Sequence, residues 1–65
     1  MVFEAGQIWE APRINGEIKI TKVGVAGVSF IVRDTSDNWT SCTEWNWKVL
    51  EQFLNDHHFT LKEVA

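Results

Sequence analysis

Glu17-Ile18-Lys19-Ile20-Thr21-Lys22-Val23, then Gly24-Val25-Ala26-Gly27, then Val28-Ser29-Phe30-Ile31-Val32-Arg33: the reading of this stretch decides the fold. In its first part Ile18 and Ile20 alternate with Lys19 and Thr21, the period-two pattern of a half-buried strand. In its last part Val28, Phe30 and Val32 share one face, and Ser29, Ile31 and Arg33 share the other. Two glycines bracket the small residues between, which predicts a hairpin loop over residues 24–27.

Toward the N-terminus, Gln7-Ile8-Trp9-Glu10 lies between Gly6 and Pro12 and reads as a first strand. Proline has no N–H to give to a ladder, so that strand ends at Pro12 or runs along an edge. Asn15-Gly16 has the composition of a two-residue type I′ turn, which predicts a hairpin closing there. Toward the C-terminus, Asp34-Thr35-Ser36-Asp37-Asn38 is a polar turn cluster, with Trp39 to Cys42 as a short fourth strand. Ser41-x-x-Glu44 has the form of a capping box, with Thr43 an alternative N-cap. From there Trp47, Leu50, Phe53 and Leu54 fall on one helical face, predicting a helix from Glu44 to Asn55 packed by those four residues. Phe59 to Val64 alternates and reads as a last strand. The expected fold is α+β and mostly β: a meander sheet or small open barrel of about five strands, with one helix before the last strand, in a single domain over residues 1–65.

The pattern Phe3-x-x-Gly6-x-Ile8-Trp9-x-x-Pro12, followed by the meander from Glu17 to Val32, resembles the start of small SH3-like β-barrel proteins of bacteria and phages. The resemblance covers mainly residues 3–40. It implies an SH3-like open barrel and a phage- or prophage-encoded accessory or host-modulating role. The helix before the last strand is longer than the single turn usual in SH3 domains. The loop motifs that read proline-rich peptides are not evident, so proline-peptide recognition does not carry over.

A chain of 65 residues has a small core, because surface outweighs volume at this size. One cysteine, Cys42, rules out an internal disulfide and suits a reducing compartment. With no apolar leader in view, a cytoplasmic location is expected. Four tryptophans and four phenylalanines supply the bulk instead. Nine acidic against six basic residues give a net charge of −3. That sign disfavours non-specific nucleic-acid binding, which draws its affinity from cations.

No catalytic, metal or cofactor site is expected. Adjacent His57 and His58 with the lone Cys42 lack the spaced, converging ligands that zinc needs. Cys42 has no base placed beside it by the sequence, and no carboxylate pair sits in an apolar stretch. Gly24 and Gly27 are not followed by the Gly-Lys-Ser/Thr of a phosphate loop. The leading expectation is therefore a non-enzymatic protein-interaction module. Its contact would centre on Trp45 and Val49, one turn apart on the helix flank, or on an open strand edge. That surface requires the helix to begin before Trp45. If residues 43–46 are extended, Trp45 packs onto the sheet. The alternative is a nucleic-acid-binding barrel using Lys19, Lys22, Arg33 and an exposed tryptophan. A continuous basic stripe beside an exposed ring would favour the second reading, and a contiguous apolar patch larger than a few hundred Å² the first.

Overall fold

A computed structural model describes residues 2–12, 14–33, 39 and 42–64. They form β1 (Ile8–Ala11), β2 (Ile14–Val23), β3 (Val28–Arg33), β4 (Thr43–Trp45), α1 (Trp47–Asp56) and β5 (Thr60–Glu63). The strands make one antiparallel sheet in the order β4-β3-β2-β1-β5, open between its two edges. The helix thus lies in the connection between the two edge strands. This is the mostly-β α+β fold expected, with five strands and one helix before the last.

The central hairpin follows its pattern. Ile18, Ile20, Val28 and Phe30 are buried, while Thr21 and Lys22 are exposed. Gly24 donates its N–H to the carbonyl of Gly27 at 2.9 Å and closes the loop. A Cβ on Gly27 would lie 2.7 Å from the Trp45 carbonyl oxygen, so only glycine lets β4 approach the loop this closely.

Four expectations are corrected. Asn15-Gly16 is not a turn. Ala11 pairs with Ile14, so the chain reverses between them, while Glu10 pairs with Glu17. Asn15 and Gly16 are the surplus residues of a bulge inside β2, another role that glycine in a strand commonly fills. Pro12, which has no N–H to give to a ladder, immediately follows β1. The fourth strand of the sheet is Thr43–Trp45; of the expected strand Trp39 to Cys42, Trp39 makes an isolated bridge to Arg33, Cys42 is outside any strand, and residues 40–41 lie outside the described residues. The helix starts at Trp47, not Glu44, because Asn46 is its N-cap: its side-chain oxygen accepts from the Lys48 N–H at 2.9 Å. Thr43 and Glu44 belong to the strand. The expected Ser41 cap and the polar cluster 34–38 lie outside the described residues. Last, Trp47 is not core. As the first helical residue its side chain leans back past the helix end, and it is 43% exposed.

The remaining helix face is as expected. Leu50 and Leu54 are fully buried against Ile20 and Val28, with Phe53 half-buried beside them. The helix ends in a Schellman motif. His58 adopts φ 58°, its N–H reaches the Asn55 carbonyl at 3.2 Å, and the Phe59 N–H reaches the Leu54 carbonyl at 2.8 Å. This turn brings Phe59 back over Phe53, with ring centroids 5.8 Å apart.

Candidate interaction surface

Among the described residues, three features are built well enough to contact something else. The first is a hollow at the start of the helix. Gln7, buried, organises the arm before β1: its Oε1 accepts from the Glu4 N–H at 3.0 Å and from the Trp9 indole N–H at 3.3 Å. Its Nε2 donates to the Val2 carbonyl at 3.3 Å. Gly6, at φ 98°, donates its N–H to the Ile20 carbonyl and turns the arm onto the sheet. Phe3 is thereby held edge-on to Trp9 at 6.1 Å, and Val2 is left at the surface. Val2, Val23 and Trp47 then surround a hollow of about 300 Å³, with buried Phe3 and Val28 in its wall. Val2, Val23 and Trp47 are all exposed, so a tryptophan and two valines stand at the rim of this hollow. Lys48 stands over the Trp47 ring at 5.6 Å.

The second feature is an apolar hollow of about 250 Å³ between the helix and the inner face of the sheet. Ile18, Phe30, Val32, Trp45, Phe53 and Phe59 form most of its wall. The rings are arranged against one another: Phe30 to Trp45 at 5.1 Å and 81°, and Trp45 to Phe53 at 5.5 Å and 86°. Both are edge-to-face contacts of the kind aromatic quadrupoles prefer.

The third is the outer face of the sheet. Lys19, Lys22 and Arg33 share it. Lys22 does so because the register steps over Thr21, a bulge that returns Lys22 to the side of Ser29, Ile31 and Arg33. The cations are interrupted by carboxylates. Glu17, buried, pairs with Arg33 from β3 and Lys62 from β5. Lys62 reaches it because the β1–β5 register steps from Glu63 to Leu61 and leaves Lys62 outside the ladder. Glu10 sits across from Glu17, and Glu44 accepts from the Ser29 hydroxyl at 3.4 Å. Arg33 also stacks over Trp39 at 5.2 Å. The face is a patchwork of both signs rather than a continuous basic stripe.

Trp45 and Val49 are not brought together as a helical pair. Trp45 lies in β4, half-buried between Phe30 and Phe53, whereas Val49 lies on the helix and is 56% exposed. The reading missed Trp47 and Val23 as surface residues. The available signal was Asn46, a strong N-cap that sets the helix start at Trp47 instead of Glu44. Cys42 is exposed, its Sγ 3.5 Å from the Thr21 hydroxyl, instead of the buried apolar group a lone cysteine commonly is. His57 lies against Phe53 at 4.5 Å, and His58 occupies the left-handed cap. Among the described residues, no three His, Cys, Asp or Glu side chains converge in a way that would hold a metal ion. No helix among them is long and apolar enough to cross a membrane. No family model, curated protein or solved structure matches the chain.

Proposed function

We propose that this domain is a protein-interaction module whose contact surface is the hollow bounded by Val2, Val23 and Trp47. The observation that carries the reading is the exposure of Trp47 beside two exposed valines over one concave surface. Tryptophan at the rim of a desolvatable hollow is the arrangement from which binding hot spots are made. An apolar side chain of the partner would enter against Phe3 and Val28, and the N-terminal arm pinned by Gln7 would form one wall. The charge pattern of the outer face supports this reading over nucleic acid. Arg33 already faces the Glu17 carboxylate, and a cation so engaged adds less to phosphate affinity than one in solvent.

The test compares the intact domain with Trp47→Ala as baits in lysate of the source cells, read by mass spectrometry. A protein retained by the first and lost by the second, with affinity lower by about 2 kcal/mol or more on titration, is the expected result. Identical captures by the two baits would remove Trp47 from the interface. Saturable binding of a single-stranded oligonucleotide, lost on Lys22→Glu, would replace this reading with the nucleic-acid one.

A further inference from the structure

The hollow lined by Trp45 takes no part in the proposed contact at Trp47. Its geometry points to a separate binding site for one small, uncharged aromatic molecule of one or two fused rings.

Size gives the first limit. An apolar cavity of about 150 Å³ holds benzene, so the roughly 250 Å³ here admits a bicyclic ring such as indole. Chemistry gives the second. Ile18, Phe30, Val32, Trp45, Phe53 and Phe59 offer carbon surfaces, with Glu17 and Thr43 the side-chain polar groups in the lining. A stable water network needs two to four polar partners for each molecule, which such walls do not supply. Glu17 already meets Arg33 and Lys62, so a charged ligand would have to compete for a carboxylate that is engaged.

Shape gives the third limit. Phe30, Trp45 and Phe53 succeed one another edge to face, and Phe59 follows Phe53 at a 38° tilt. A flat guest ring continues that sequence by presenting its edge to one face and its face to another edge, which a saturated ring of the same volume does not. The walls are also held apart in advance. Trp45 is fixed between two rings, the helix is anchored by fully buried Leu50 and Leu54, and Phe59 is returned by the Schellman turn. A site already open loses little conformational freedom on filling.

The experiment titrates the intact chain with indole and follows methyl and aromatic NMR resonances. Saturable shifts at Ile18, Val32 and Phe53 are expected. Val32→Phe, which fills the hollow, should weaken indole binding at least tenfold, and Trp47→Ala should leave it unchanged. If Val32→Phe does not fold, Thr43→Ile at the exposed rim serves in its place. The assignment is overturned by the absence of saturable shifts up to the solubility limit of indole, or by shifts confined to Val2, Val23 and Trp47. It is equally overturned by unchanged affinity in the filled variant, or by cyclohexanol or indole-3-acetate binding as tightly as indole. Because Trp47→Ala reports on the other hollow, failure here and failure of the proposed protein contact are read separately.

Discussion

Trp45 and Trp47 are two residues apart, yet they serve two different regions. The region around Trp45 is a wall of rings: Phe30, Trp45 and Phe53 contact one another edge to face, and Trp45 is half-buried at the end of a strand. The region around Trp47 has valines and an N-terminal arm for neighbours, and its tryptophan stands at the rim of a hollow. Asn46 separates them. By capping the helix it ends β4 at Trp45 and makes Trp47 the first helical residue. One side chain is then aimed by the sheet pleat and the other by the helix end. The lesson is that the place where a strand gives way to a helix decides which large apolar side chain becomes core and which becomes surface. The sum of hydrophobicity along the segment does not decide it.

Between the two regions lies the part of the core that is closed on all sides: Ile20, Val28, Leu50 and Leu54, all fully buried. The comparison requires this part to dominate stability. Leu50→Ala should cost about 2–5 kcal/mol, the range for emptying a closed aliphatic site. In a domain with a total of about 5 kcal/mol, that leaves little folded protein at moderate temperature. A urea melt measures it. A cost below about 1 kcal/mol would mean that the helix does not seal the sheet, and both hollows would lose their common wall.

The smallest expected effect has the opposite sign. His58 holds φ 58° without being glycine, a conformation that costs an L-residue with a Cβ. His58→Gly should stabilise the domain by about 0.5–1 kcal/mol, less the greater chain entropy that glycine loses on folding. The melting temperature should rise by roughly 2–8 °C. A fall would show that His58 makes a contact worth more than the strain of its backbone.

Much of the fold was legible because its signals are local. Alternation in residues 17–23 and 28–33, the glycines at 24 and 27, and the Leu50, Phe53, Leu54 spacing each dictate their element without help from elsewhere. Asn15-Gly16 misled because its turn chemistry also suits a bulge. Pro12 nearby had already stopped β1, and only pairing partners reveal which of the two acts. A helix start at Glu44 was expected, but β4 pairing with β3, a long-range event, keeps Thr43, Glu44 and Trp45 in the sheet and leaves the cap to Asn46. The site was less legible for the same reason. The three cations were named as a group, but their common face depends on the bulge at Thr21, and their interruption depends on Glu17 meeting Lys62 across β1. The Trp47 hollow needs the arm held by Gln7, four strands away from the helix in the chain order.

The division of labour between the two tryptophans is tested most directly by unfolding Trp45→Ala and Trp47→Ala side by side in urea. The structure predicts that Trp45→Ala costs about 2–3 kcal/mol, because it removes a half-buried ring held between two others. Trp47→Ala should cost about 1 kcal/mol, since much of that ring already meets solvent. Equal costs, or a larger loss from Trp47→Ala, would contradict the assignment of Trp45 to the core and Trp47 to the surface.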